Sequence, residues 1–176
     1  MKLNIGCGSK KREGYIGVDV IQFDGVDVVC RVGQEPLPYA DTSIDEVYCS
    51  HFVEHLTAQE RIQFVNELSR VLKPNCQVTL IVPHWASGRA YGDPTHQWPP
   101  VSEFWFYYLK REWRLANAPH TDAKHWPQGY TCDFDATWGY GIHPQVMARN
   151  DEYKQFALNF YKEAAQDIHA TLTKRA

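Results

Sequence analysis

No apolar run in this chain approaches the roughly 20 residues needed to cross a bilayer. Residues 1–15 hold lysines and glycines but no apolar core of a secretory signal. The chain therefore reads as cytoplasmic, with no membrane partner. Its five cysteines (Cys7, Cys30, Cys49, Cys76 and Cys132) are odd in number, widely spaced and free of any C-x-x-C pair. That argues against a disulfide framework or a structural zinc site. Basic residues are not in excess: the net charge is -3, and no basic stripe with interleaved aromatics marks a nucleic-acid face. Internal repeats and low-complexity segments are also missing. What remains is a chain with 44% hydrophobic and 22% charged residues, the balance of an ordinary globular protein. At 176 residues it has the length of one domain with a substantial core.

Residues 1–84 alternate between strand and helix patterns, which predicts an α/β fold with a mostly parallel sheet. Leu3-Asn4-Ile5, Tyr15-Ile16-Gly17-Val18, Val26 to Cys30, Ile44 to Cys49 and Cys76 to Val82 read as strands. Thr57-Ala58-Gln59-Glu60 is a capping-box pattern. It opens a helix with Ile62, Val65, Leu68 and Leu72 on one face, stopped by Lys73-Pro74-Asn75. All six tryptophans fall between Trp85 and Trp138, in a Pro- and Gly-rich stretch with one predicted helix over 102–115. Phe160, Ala164, Ile168 and Leu172 share a helical stripe, which predicts a long C-terminal helix reaching Leu172. The expected division is a cofactor-type core (1–84), an aromatic lid or substrate region (85–143) and a C-terminal helix (144–176). The aromatics can equally pack a small second core.

The opening stretch, "LNIGCGSKKREGYIGVDV", leaves little chain between its two strands. Parallel neighbours normally need a crossover of a dozen or more residues with a helix. Nine extended residues reach roughly 30 Å, whereas running back along a five-residue strand takes only ~17 Å; nine helical residues would rise only about 13 Å. A parallel return is feasible if the connector stays extended, and two glycines at Gly6 and Gly8 suit a ligand-binding turn better than a hairpin. A dinucleotide site would need G-x-G-x-x-G and an acid about 20 residues further on. Here the third glycine position is Lys11, and Asp19 follows Gly8 by only eleven residues.

Three blocks, "LNIGCG…GYIGVDV", "LPYADTSIDEVYCSHFVEHL" and "ELSRVLKPNCQVTLIVPH", together resemble the class I S-adenosylmethionine-dependent methyltransferases, in the short type-11-like branch with an abbreviated first crossover. The resemblance covers residues 2–84. It implies a Rossmann-like sheet and methyl transfer from S-adenosyl-L-methionine. By the same resemblance Gly6, Cys7 and Gly8 pass beneath the cofactor's methionine portion, Asp19 takes the ribose hydroxyls, and Val20 and Ile21 lie against adenine. Ser50 and His51 border the methyl group, and Glu54 and His55 open the following segment. Two features depart from the family. Arg31 stands where an acid often meets the adenine amino group, and it has donors only; either backbone around residues 33–37 makes the contact or the adenine site is weakened. The chain also starts directly on the first strand, so cover for the cofactor comes from the aromatic segment, from a second subunit in a homodimer, or not at all.

Methyl transfer to a hydroxyl or ammonium acceptor needs a base. "DPTHQW", which follows the fifth strand and resembles a block of the same branch, offers Asp93 and His96 as an oriented pair; the alternative is that Asp93 caps a turn at Pro94 and His96 bonds locally. His51 is the third catalytic candidate. His84, Asp93 and His96 are too loosely spaced to predict a metal, and none is expected. Lys10, Lys11 and Arg12 are candidates for the cofactor carboxylate, with a solvated loop as the alternative. The predicted acceptor is a small molecule or a glycan. A non-catalytic methyltransferase-like binding protein and a nucleic-acid methyltransferase are the competing readings.

Overall fold

The computed structural model describes residues 1–176. Its centre is a seven-stranded sheet in the order β3-β2-β1-β4-β5-β7-β6. The strands are β1 (Lys2–Ile5), β2 (Ile16–Asp19), β3 (Val28–Val29), β4 (Ile44–Ser50), β5 (Leu72–Pro83), β6 (Phe134–Ile142) and β7 (Ala165–Lys174). The first five run parallel; β7 lies antiparallel between β5 and β6. Strand order reverses at β1, flanked by β2 and β4, so the ligand crevice of such a sheet belongs at the carboxyl ends of β1 and β4.

The short connector is a parallel return: Leu3, Asn4 and Ile5 pair with Ile16, Gly17 and Val18. Residues 6–15 form no helix, and side chains hold the connector instead. Buried Asn4 accepts the Arg12 N–H at 2.8 Å, and Asp27 accepts Lys11 Nζ at 2.9 Å and Gly17 N–H at 2.7 Å. The loop lies directly on β2. A Cβ at Gly17 would stand 2.5 Å from the Gly25 carbonyl oxygen and 2.9 Å from Cys7 Sγ and a Lys11 methylene. Gly17→Val is therefore expected to destabilise the fold by about 1–3 kcal/mol through overpacking, read as a lowered denaturant midpoint; an unchanged midpoint would show that the loop does not rest on the strand.

Helix α1 (Ala58–Val71) opens with the expected capping box, Thr57 and Glu60 exchanging hydrogen bonds. It buries Ile62, Phe64, Val65 and Leu68 against the sheet. Leu72 is the first residue of β5 rather than the last on the helix face, and Lys73-Pro74 lie inside that strand. The short helices α2 (Arg89–Gly92), α3 (Glu103–Tyr108) and α4 (Arg111–Asn117) fill the link from β5 to β6. The single helix predicted over 102–115 is thus two, broken at Leu109-Lys110.

The predicted C-terminal helix is overturned. After α5 (Pro144–Met147), α6 (Asp151–Phe160) ends at Phe160, Glu163 takes a φ of 64°, and β7 follows. Ile168 and Leu172 are four apart, a spacing that suits a helix and equally a strand of period two. Ala170 between them is also buried while His169 is exposed, and Thr171 and Thr173 favour a strand. The segment predicted as a lid over 85–143 likewise contributes β6 to the sheet. Buried residues from Leu3 to Leu172 form one continuous core, with Phe106, Leu109, Tyr130 and Phe134 of the aromatic segment inside it.

Candidate active site

The turn after β1 is set by contacts on both sides. Gly6 (φ 64°) and Gly8 (φ 51°) are left-handed, a region that glycine enters without steric cost. A Cβ at Gly6 would strike Phe52 at 2.7 Å, so the turn and the segment after β4 are in direct contact. Gly8 has nothing within 4 Å of its Cβ position, which leaves an open cradle. The half-buried Asp19 carboxylate faces it: Oδ2 accepts the Gly8 N–H at 2.8 Å and Oδ1 the Ile21 N–H at 3.1 Å. A carboxylate has about four acceptor sites, so two are left for hydroxyl donors. Val20, Ile21 and Phe23 form an exposed apolar ledge next to it; Phe23 was not singled out by the sequence reasoning. Buried Cys7 packs towards Gly17, and its thiol is pushed up in pKa by burial.

The basic run faces elsewhere. Lys11 is tied to Asp27, and the Arg12 guanidinium lies 4.6 Å from the Tyr48 ring centre and 5.4 Å from that of Tyr15. Lys10 is exposed. Arg31 is also exposed, beyond the end of β3, with its N–H given to Glu35.

Past Ser50, the last residue of β4, His51 adopts a φ of 53°. Its Nδ1 lies 3.3 Å from Glu54 Oε1, and that neighbour raises the imidazole pKa. Glu54 and His55 belong to a 3-10 turn, Val53–His55. Together with Arg89, Asp93 and His96 these side chains line a cleft of about 410 Å³ whose wall is otherwise only Pro83 and Gly92. Arg89 is paired with Asp167 at 2.6 Å.

Asp93 does not orient His96: His96 Nε2 and Asp93 Oδ2 are 4.0 Å apart, too far for a hydrogen bond. Asp93 Oδ1 instead accepts the Thr95 N–H (2.8 Å) and hydroxyl (2.7 Å), the turn-capping alternative. The Thr95 hydroxyl has one proton and gives it to Asp93, so at 2.9 Å it must accept from His55 Nδ1. Asp93 thus fixes the tautomer of His55 through Thr95. His96 Nδ1 is held by the Ala90 carbonyl at 3.2 Å, which can only accept. Both rings consequently carry their proton on Nδ1 and a lone pair on Nε2.

Arg61, which sequence reasoning missed, holds this arrangement in place. It is buried, and it donates to the carbonyls of Val53 (3.1 Å), Gln97 (3.1 Å) and Pro99 (2.5 Å). One guanidinium therefore joins α1, the 3-10 turn and the loop carrying His96. An arginine on an otherwise apolar helix face was the available signal.

His84 stands apart from these groups. Its Nδ1 accepts the Ala86 N–H at 3.1 Å, so Nε2 donates to Glu103 Oε1 at 2.8 Å, and Trp85 Nε1 donates to the other oxygen at 3.1 Å. Burial pushes the Glu103 carboxyl up, but the bonds from His84, its own backbone and Tyr140 outweigh it and hold the carboxyl at about 2. With a folded value below the ordinary 4.5, its stabilisation is complete above that pH and is lost as pH falls towards 2. Glu103→Gln is expected to lower stability at pH 7 and to flatten the acid limb of the stability curve below pH ~4.5. An acid limb identical to that of the parent protein would contradict the clamp.

The aromatic segment mostly packs on itself and the core. Phe106 stacks on Trp138 at 5.5 Å and Tyr107 on Trp113 at 5.6 Å. A larger cavity, about 490 Å³, lies among Phe106, Trp113, Asp135 and Trp138. It sits towards the start of β6, which runs parallel to β5, and is therefore at the opposite end of the sheet from Gly8 and Asp19. Residues 85–100, with exposed Trp85, Tyr91 and Trp98, border the carboxyl edge, where Glu103 and Tyr140 also meet His84.

Residues 9–80 match a family described as a methyltransferase domain. That stretch carries the likeness to the type-11 methyltransferases. Solved structures share its fold. A SAM-dependent methyltransferase from Archaeoglobus fulgidus superposes with a TM-score of 0.67 at 20% identity, over 98% of this chain and 85% of the other. One from Methanosarcina mazei gives 0.56 at 15%, over 99% and 92%. A geranyl diphosphate C-methyltransferase from Streptomyces coelicolor, solved with Mg2+, geranyl diphosphate and S-adenosyl-L-homocysteine, gives 0.52 at 14%, over 99% and 70%. No curated protein matches the chain by sequence.

The methyl donor of this methyltransferase family is S-adenosyl-L-methionine, and the residues present fit it. The cradle at Gly8, which any Cβ would begin to fill, the spare acceptor sites of Asp19 and the apolar ledge at Val20 and Ile21 offer room, diol acceptors and a flat wall in sequence along one edge.

Proposed function

We propose that the methyltransferase acts on a small polar acceptor, a small molecule or a glycan unit, seated in the cleft between His51, Arg89 and His96. The observation that carries this reading is the cleft itself: about 410 Å³, with ionisable side chains at every lining position but Pro83 and Gly92, joined to the glycine turn through the Gly6–Phe52 contact. That volume suits a compact ligand. A structural neighbour described as a geranyl diphosphate C-methyltransferase supports a small-molecule acceptor.

Gly6, Cys7, Gly8 and Asp19 hold the donor, with Val20 and Ile21 against its base and Ser50 and His51 at the methyl end. The bound donor supplies an electrophilic methyl group already activated as a sulfonium. The protein's part is alignment, which is worth about 7–11 kcal/mol when the reacting atoms are held in line. Imidazole at the cleft takes the acceptor's proton, and His51, directly after β4 and next to the Phe52 that meets Gly6, is the ring assigned to it. The Asp93–Thr95 pair and Arg61 act as positioning groups.

Calorimetry with S-adenosyl-L-homocysteine is expected to show one site per chain. His51→Asn is expected to lower kcat by about 10²-fold with homocysteine-analogue affinity kept within twofold. Parallel loss of affinity would instead assign His51 to the structure of the cofactor edge.

A further inference from the structure

The Glu54 carboxylate is the most unusual polar group in the fold. It is 4% exposed, and neither oxygen receives a hydrogen bond. Its one polar neighbour among the cleft imidazoles in ion-pair range is His51 Nδ1, at 3.3 Å and outside hydrogen-bond geometry. Leaving a buried carboxylate without donors costs several kcal/mol, so its surroundings point to a ligand.

Two further donors converge on the same point. One ligating atom each from Glu54, His55 and His96 lies within 4.8 Å of the others. The tautomers derived above leave the Nε2 lone pairs of both rings free, since Nδ1 of His55 is committed to Thr95 and Nδ1 of His96 to Ala90. Rings fixed this way, by a hydrogen bond from the nitrogen away from the site, are the pattern of metal-ligating histidines. Asp93 Oδ2, 4.0 Å from His96 Nε2, stands at the rim.

We propose that Glu54, His55 and His96 bind a divalent transition-metal ion, with its open coordination positions turned into the cleft. Two imidazole nitrogens and one carboxylate oxygen suit Zn2+, Co2+ or Mn2+ better than Mg2+ or Ca2+. Bonds to such an ion are about 2.0–2.2 Å, so donors at tetrahedral angles around it stand ~3.3–3.6 Å apart, and side chains now within 4.8 Å of one another must draw in by up to about 1.5 Å. Three protein ligands with vacant positions are the arrangement of a reactive rather than a structural site. Resting on the acceptor reading above, the ion would hold an acceptor oxygen and lower its pKa, leaving His51 to take the proton. The set differs from the His84, Asp93 and His96 combination weighed from the sequence: His84 has both ring nitrogens committed to Ala86 and Glu103.

The test is a titration of chelator-treated, desalted protein with Co2+, followed by its visible d–d absorption, and then competition with Zn2+. One equivalent of Co2+ per chain, displaced by Zn2+, is expected. Glu54→Gln and His96→Ala should each weaken binding at least tenfold. Thr95→Val, which removes the hydroxyl linking His55 to Asp93, should weaken it by about 10–100-fold. His120→Ala, on the exposed turn remote from the cleft, should change nothing. Absence of stoichiometric binding, or affinity indifferent to both His96→Ala and Thr95→Val in variants with parental circular dichroism, would overturn the site. Calorimetry with S-adenosyl-L-homocysteine on the same samples separates the two readings. Analogue binding without metal binding removes the ion alone, whereas metal binding without analogue binding keeps the ion and removes the donor pocket.

Discussion

Asp19→Ala is expected to weaken S-adenosyl-L-homocysteine binding by 100-fold or more while leaving the chain folded. Two effects add. The ribose diol loses its charged acceptor, and hydrogen bonds to charged groups contribute about 1.5–3 kcal/mol each. The Gly8 and Ile21 N–H groups also lose the carboxylate that shapes the turn, so the cradle is no longer preorganised. Asp19→Asn separates the two, because an amide oxygen can still take one backbone N–H but offers no charge. Its affinity should fall between the parent and the alanine variant. Calorimetry reads both, and parental affinity in Asp19→Ala would place the donor elsewhere.

The second large effect lies away from the chemistry. Arg114 is fully buried, with Nε and Nη2 on Asp122 Oδ2 at 3.1 and 2.9 Å and further bonds to the carbonyls of Tyr108 (2.7 Å) and Cys132 (2.8 Å). Burial pushes the Asp122 carboxyl up, but the Lys124 N–H and the Arg114 guanidinium outweigh it and hold the carboxyl below its ordinary range. Asp122→Ala leaves a guanidinium buried without its counter-charge, and breaking such a pair costs about 3–5 kcal/mol. Denaturant unfolding should show that loss. The double variant Arg114→Met/Asp122→Leu should recover most of it, since an apolar replacement of a buried pair is often neutral. Cofactor affinity at low temperature should stay parental, because the pair fastens α4 to the loop before β6 at the far end of the sheet. A loss under about 1 kcal/mol in Asp122→Ala would mean that water reaches the guanidinium.

The parts of the site that were legible in the sequence are the local ones. The glycine turn, Asp19 and the helix-free return follow from chain length and residue type within residues 3–20, and distance arithmetic alone allowed the parallel pairing. The capping box of α1 is equally local. What was misread depends on tertiary contacts. Asp93 and His96 are three apart and suggest a dyad, but Thr95 between them captures the carboxylate and passes its effect to His55, a residue forty positions earlier. Glu54 reads as the opening of a helix; its burial depends on Arg61 and on the loop at residues 97–99, which no local pattern announces. β7 was hidden because a four-residue spacing fits both helix and strand, and the deciding neighbour is the antiparallel partner β5.

A methyl-acceptor site in the cleft at His51 and His96, served by the Gly8–Asp19 edge, makes methyl transfer depend on Asp19. The direct measurement supplies methyl-labelled S-adenosyl-L-methionine and a fractionated cell extract to the parent protein and to Asp19→Ala, and follows where the label goes. The expected result is label in the low-mass hydrophilic or glycan fraction with the parent and none with the variant. Label confined to nucleic acid or protein, or no transfer to any fraction, would contradict it.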